Sequence, residues 1–423
     1  MTTSIQLSDP ALGKRFRNTA SMIAKTRQHF DAAHQRGLMA IHGISGEGRK
    51  VRLSTPDSDG AIVVDFVRCS YLGLDNHPSV VAGAVAAINR YGSLHWSCAR
   101  TRLNFAGIRD LEAELSRLFD VRAITYSSVM VANMGALPLL ASGSLTLGRR
   151  PTMIFDQNAH ISLSFHKPIV AEETRVGTIA HNDLDALEQI CKSQADVAYI
   201  CDGVYSMGGH APIGDLRWLQ QKYGLFLYID DAHGISLFGT HGEGFARSQM
   251  HGELGDRTII AASLGKGFGA SGGMLMLGTE EQETLFRRYA VAHAFSASPN
   301  LAAVGAAMAS AALHETEELA ELQQKLAARI FQFDKRIVTT QRGDRLPIRT
   351  LIVGDEFKAM EICATLLARG FYTSVIFFPT VAQGQAGLRI CPTATHTVGE
   401  IEVLCEAIED LGVPFNTVGG LDR

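Results

Sequence analysis

Short runs dominated by β-branched and other apolar residues recur along this chain, and most are separated by stretches of helical period. They read "AIVVDFVRC" (61–69), "VRAITYSS" (121–128), "PTMIFD" (151–156), "VAYICDG" (197–203), "LFLYIDD" (225–231), "TIIAASL" (258–264) and "GGMLMLG" (272–278). Between them lie segments such as "GIRDLEAELSRLF" and "DLDALEQICKS". Buried strands alternating with helices argue for an α/β fold whose mostly parallel sheet is covered on both faces. The run "GGMLMLG" follows "TIIAASL" after a loop too short for a parallel crossover, so this strand is expected to be antiparallel. From Glu315 onward Leu319, Leu322, Leu326, Ile330, Phe333 and Ile337 step by three and four, the spacing of a long amphipathic helix. After it come "IRTLIVG", "YTSVIFF" and "GLRICPT", expected strands of a smaller C-terminal α+β domain. The chain is thus expected to divide into an N-terminal arm (1–60), a large α/β domain (61–295) and a small domain (296–423). A helix is expected in the arm near "RFRNTASMIAKTRQHFDAAHQRG".

Composition excludes several function classes. A net charge of −4 on 423 residues offers no basic surface for nucleic acid or anionic membrane. No run approaches the roughly 20 apolar residues of a membrane span. The N-terminus "MTTSIQLSDPALGKRF" lacks the apolar core of a signal peptide. The seven cysteines are scattered and form no CxxC pair, which points to reduced thiols in a cytoplasm and away from a disulfide framework or metal site.

Two apparent nucleotide motifs fail on inspection. "GISGEGRK" (43–50) places no lysine directly after its final glycine and no Ser or Thr behind it, as a P-loop requires. "GFGASG" (267–272) matches GxGxxG, but a strand-like run follows where a dinucleotide site needs a helix. The stretch "AASLGKGFGASGG" (261–273) carries a different signal: one lysine, Lys266, among residues small enough to let backbone approach a bulky ligand. Three other strand ends carry "FDQNAHISL" (155–163), "GVYSMGG" (203–209) and "YIDDAHG" (228–234). In an open α/β sheet the strand C-termini converge on one crevice. An amine, a carboxylate, imidazoles and hydroxyls gathered there match the needs of pyridoxal phosphate: an imine partner, a partner for the ring nitrogen, a stacking group and phosphate donors.

In these motifs, in their order from "CSYLGLDNHP" (69–78) to "LRICPTATHT" (388–397), the chain resembles the α-oxoamine synthases. These are fold-type I pyridoxal-phosphate-dependent transferases with a mostly parallel seven-stranded sheet and a smaller C-terminal domain. The resemblance implies pyridoxal 5'-phosphate as cofactor and Lys266 as the Schiff-base lysine. It implies Asp230 at the pyridine nitrogen, His233 and Ser206 at the phenolic oxygen, and His160 stacked on the ring. Ser263 and the turn Ser128-Val129-Met130 would hold the phosphate. Thr380 and Arg389 would line the substrate side, the arginine clamping an amino acid carboxylate. The implied reaction is a Claisen condensation of an amino acid with an acyl thioester, from CoA or an acyl-carrier protein, usually with decarboxylation, giving an α-aminoketone. Catalysis would fall to Lys266, His160 and Asp230, with no metal, in a homodimer with shared active sites. Another fold-type I enzyme, an aminotransferase or a lyase, is the alternative.

Several positions depart from the family pattern. Cys69 stands where many members carry Asn, Val129 replaces a glycine, and Ala297 in "FSASPN" replaces a threonine, with Ser296 or Ser298 as substitute hydroxyls. A glycine-rich stretch near the acyl channel is replaced by "YGSLHWSCARTRLNF" (91–105). Arg100 and Arg102 within it are open to two readings, binding of an acidic acyl group or CoA phosphate, or a structural salt bridge.

Overall fold

The computed structural model describes residues 19–54, 60–96, 98–413 and 415. They fall into two compact units. The first comprises Gly73–Tyr205 and His210–Ala320; the second gathers the described residues up to Leu72, Ser206–Gly209 and those from Glu321 on. These limits differ from the expected 1–60, 61–295 and 296–423. The reason lies in strand pairing: β1 (Gly43–Ser45), β2 (Lys50–Leu53) and β3 (Ile62–Asp65) form one sheet that ends on a strand from the C-terminal region.

The first unit is built on β4 (Arg122–Tyr126), β5 (Thr152–Asp156), β6 (Val176–Ile179), β7 (Val197–Asp202), β8 (Phe226–Asp230), β9 (Thr258–Ser263) and β10 (Gly273–Leu277). They form a seven-stranded sheet in the order β4-β10-β9-β8-β7-β5-β6. Strands β5 to β9 pair in parallel, and β10 runs antiparallel to both β4 and β9. The antiparallel expectation for "GGMLMLG" is therefore met. Every residue of β5, β7, β8, β9 and β10 is buried, as a sheet covered on both faces requires. Apolar clusters lie on both faces, one around Leu111, Leu115 and Ile229 and the other around Leu137, Phe155 and Tyr228.

The sequence runs and the sheet differ in one member. "AIVVDFVRC" supplies β3 of the second unit, while β6, which carries Gly177 and the exposed Thr178, completes the seven. An edge strand of four residues with that composition carries little apolar signal.

In the second unit β11 (Arg349–Gly354), β13 (Ser374–Ile376) and β14 (Ala386–Ile390) form an antiparallel sheet, and β12 (Phe371–Tyr372) pairs in parallel with β3. The long amphipathic helix spans Glu317–Arg336, with Leu319, Leu326, Ile330 and Phe333 buried. The arm's helix is Thr19–Gln35; residues 15–18 of that expectation lie outside the described residues. Among the described residues no helix is long and apolar enough to cross a membrane.

Candidate active site

The parallel strands β5, β7, β8 and β9 all end at one edge of the sheet, and the chain leaves each with a polar residue. Asp230, the last residue of β8, is buried, and its Oδ1 accepts the Ala232 N–H at 3.1 Å, which turns the chain into "AHG". His233, three residues on, is also buried and reaches the Lys266 amine, with Nε2 and Nζ 2.8 Å apart. Lys266 itself is half-buried in the loop joining β9 to β10. No helix follows "GFGASG"; β10 does, which disposes of the dinucleotide reading.

His160 follows β5. Its N–H donates to Asp202 Oδ1 at 3.0 Å, and its Nδ1 lies 2.8 Å from Ser162 Oγ, while the residue as a whole stays exposed. Burial of the ring pushes its pKa down; the Asp230 carboxylate opposes this and the Lys266 charge adds to it, so the imidazole is held neutral. His160 thus feels both ionic groups at once. Asp202 stands beside Asp230 in the register of β7 and β8. Burial first, and then the Asp230 charge, push its carboxyl well above the ordinary range.

Ser128 caps the helix Val129–Ala141, its side chain accepting the Val131 N–H at 3.3 Å. The first amides of a helix have no intrahelical acceptor, so the turn Ser128-Val129-Met130 presents N–H groups and the positive end of the helix. Glycine is required opposite it: a Cβ on Gly273 would collide with the Val129 nitrogen and lie 2.6 Å from the Ser128 carbonyl carbon. The Val129 departure therefore leaves the backbone cradle in place. Ser263 ends β9, and its Oγ accepts the Gly265 N–H at 3.2 Å. In "FSASPN" the Ser296 and Ser298 hydroxyls donate to the neighbouring carbonyls of Ala297 and Pro299, at 3.2 and 3.0 Å.

Ser206, Thr380 and Arg389 belong to the second unit. There Arg389 Nε donates to the Ser206 carbonyl at 2.7 Å, and Nη2 lies 3.5 Å from Cys69 Sγ. The family-departing Cys69 is thus a direct neighbour of the arginine that the motif assigns to the carboxylate.

Four residues escaped the sequence reading. Asn133, Ser162 and Tyr228 form a buried hydrogen-bonded chain with Asp230, and Asp202 anchors the His160 backbone. A polar side chain in the apolar helix "VMVANMGALPLLA" was the one available cue to Asn133. Asp231 accepts the Ala246 N–H at 2.9 Å from a buried position. Burial raises its pKa to about 8.

Arg100 follows the structural reading. It donates to Glu112 at 2.9 Å and to the Thr125 carbonyl at 2.6 Å, and both side chains of the ion pair are buried. A cavity of about 540 Å³ lies beside this pair, lined by Arg100, Asn104, Glu112, Arg287 and His293 among others. None of the strand-end residues lines it, so its size does not mark the chemistry.

The lysine, carboxylate, imidazoles and helix N-terminus described here are the groups pyridoxal phosphate needs, and they fit it. The family described as aminotransferase class I and II matches residues 63–408. An 8-amino-7-oxononanoate synthase of Pseudomonas savastanoi pv. phaseolicola is 31% identical over 361 residues, covering 83% of this chain and 87% of that protein. Another, from Geobacter sulfurreducens, is 30% identical and covers 95% of this chain and all of its own length (100%). Among solved structures, a serine palmitoyltransferase of S. paucimobilis carrying PLP and myriocin superposes with a TM-score of 0.80. It is 20% identical and covers 94% of this chain and 98% of its own. That likeness establishes the fold.

Proposed function

The chain belongs to the aminotransferase class I and II family, in its α-oxoamine synthase branch beside the 8-amino-7-oxononanoate synthases, and from that premise we propose how its strand-end residues work. The protein is a pyridoxal-phosphate-dependent acyltransferase that condenses an amino acid with an acyl thioester, with decarboxylation, to an α-aminoketone. The relatives' name itself describes such a product, an amino group on the carbon next to a ketone. Bound pyridoxal phosphate supplies an aldehyde for the amine and a cationic ring that takes up electron density from the amino acid's α-carbon.

The chain's own groups do the rest. Lys266 Nζ is the group that would hold the aldehyde carbon, and as a free amine it would take the proton from the amino acid's α-carbon. His233 Nε2, 2.8 Å away, shares a proton with that amine and orients it. Asp230 would hold the proton on the ring nitrogen. His160, neutral and exposed, would cover the ring face and could donate a hydrogen bond to the attacked carbonyl. Ser128, Val129, Met130 and Ser263 hold the phosphate, Ser206 joins His233 at the phenolic oxygen, and Thr380 and Arg389 receive the amino acid. CoA or an acyl-carrier protein brings the acyl group. The assembly is a homodimer, supported by exposed apolar side chains on the first unit, and the location is cytoplasmic, supported by seven scattered cysteines with no CxxC pair.

The single observation that carries this reading is the Lys266–His233 contact beside Asp230 at converging strand ends. Borohydride reduction of the cofactor-loaded protein followed by peptide mapping tests it. The tag is expected on Lys266, and Lys266→Ala is expected to lose the tag and at least about a thousandfold in thiol release from acyl-CoA. A tag on any other lysine removes the reading.

A further inference from the structure

Tyr228 and Asp230 are two apart on β8 and therefore share a face of the sheet. Both reach Asn133. The Tyr228 hydroxyl donates to Asn133 Oδ1 at 2.7 Å, and Asn133 Nδ2 donates to Asp230 Oδ2 and to Ser162 Oγ, each at 3.0 Å. Ser162 Oγ stands 3.5 Å from the same carboxylate oxygen and 2.8 Å from His160 Nδ1. Asn133, Ser162, Tyr228 and Asp230 are all buried.

This arrangement does more than fasten a helix to a strand. The tyrosine can give its one proton only to the amide oxygen, so the NH2 group must face the carboxylate. A flipped amide would set its oxygen against Asp230 and leave the Tyr228 hydroxyl facing the NH2 group. The amide thus holds one carboxylate oxygen of Asp230 while the Ala232 N–H holds the other. Besides Tyr228, the charged and titratable neighbours include Asp202, Asp231, Cys201, Lys266 and His160. Asp202 and Asp231, both buried, hold their protons more tightly than ordinary carboxyls.

We propose that Asn133, oriented by Tyr228, is a positioning residue that fixes the direction of the Asp230 carboxylate, and that Ser162 carries this constraint on to the His160 ring. The proposal rests on the reading of Asp230 as the partner of the cofactor's ring nitrogen. A slack Asp230 would let that nitrogen lose its proton, and this is visible in the bound cofactor without any turnover.

The test uses the cofactor-loaded protein and three measurements: pyridoxal phosphate affinity, absorbance of the bound cofactor across pH, and the borohydride tag. Asn133→Ala is expected to keep the tag on Lys266, bind the cofactor about tenfold more weakly, and move the absorbance midpoint upward by about one pH unit. Tyr228→Phe removes only the hydroxyl that orients the amide and is expected to move the midpoint the same way by less. Asn133→Asp, which sets a second carboxylate 3.0 Å from Asp230, is expected to move it most. A midpoint and affinity unchanged in Asn133→Ala, or in Tyr228→Phe where the alanine variant does not fold, overturn the proposal and leave a structural tie. Loss of the tag from the parent protein would instead remove the site reading, and the proposal with it.

Discussion

At the scale of single residues, the network around Glu112 decides what Arg100 is for. Glu112 accepts from Arg100, from the Thr125 N–H and hydroxyl, and from Arg287, each at 2.9 Å. Burial alone pushes its carboxyl up, but the two guanidinium groups outweigh that and hold it below the ordinary range. A group with a lowered pKa contributes stability fully above its unfolded value, about 4.3, and loses it as the pH falls through the folded value. Glu112→Gln leaves a buried guanidinium without its counter-charge and is expected to cost about 3 kcal/mol at pH 7. The difference from the parent is expected to shrink as urea denaturation is repeated toward pH 3. A constant difference would mean that the charge contributes nothing. The sequence held both readings of Arg100 open because Glu112 is twelve positions away and Arg287 far beyond it. Lys266, Asp230 and His160 were legible because each sits in a short motif at a strand end. Asn133 was not, since it meets Asp230 across 97 positions and only the fold brings them together.

Elements were legible where their periodicity was strong, as in Glu317–Arg336, and illegible where a strand was short and at an edge, as in β6. Close helix packing is a further property that no periodicity announces. The helices Pro78–Tyr91 and Leu301–His314 meet through glycines. A Cβ on Gly83 would sit 2.5 Å from the Gly305 carbonyl oxygen and 2.7 Å from the Ala309 Cβ, and a Cβ on Gly305 would strike the Gly83 carbonyl. Helix propensity alone predicts a gain of about 1 kcal/mol for glycine to alanine. Here the obstacle is backbone, which cannot rotate away, so Gly305→Ala is expected to destabilise the protein despite that gain. Gly399, also in a helix but with nothing within 4 Å, is the control; Gly399→Ala is expected to be neutral or stabilising by up to about 1 kcal/mol. Thermal or urea unfolding of both variants checks the pair, and equal effects would mean that the glycine contact is not tight.

At the scale of the whole molecule, the sequence announced the α/β sheet and the polar groups at its strand ends, because burial on both faces and polar strand ends leave marks in composition. An interface leaves a weaker mark, since its apolar residues are few and scattered along the chain. Met130 and Met134 on the helix Val129–Ala141, Ile161 and Ile169 in the short helices after β5, and Val291 and Phe295 before "SASPN" are all exposed. The other helices that carry them each pack against Val129–Ala141, so these exposed side chains lie on neighbouring elements. Soluble monomers rarely expose a contiguous apolar patch of more than a few hundred Å². The helix Val129–Ala141 begins with the Ser128-Val129-Met130 turn, which ties these side chains to the turn proposed to hold the phosphate. A dimer covering this face would therefore steady the cofactor as well as bury apolar surface. Sedimentation equilibrium is expected to give twice the chain mass of 45.7 kDa for the loaded protein. The double substitution Ile169→Asp with Phe295→Asp places two charges in the patch without touching Lys266 or Asp230. It is expected to yield monomers that hold pyridoxal phosphate at least about tenfold less tightly. A parent protein that sediments as a monomer, or a double variant that stays dimeric, would assign this face some other role.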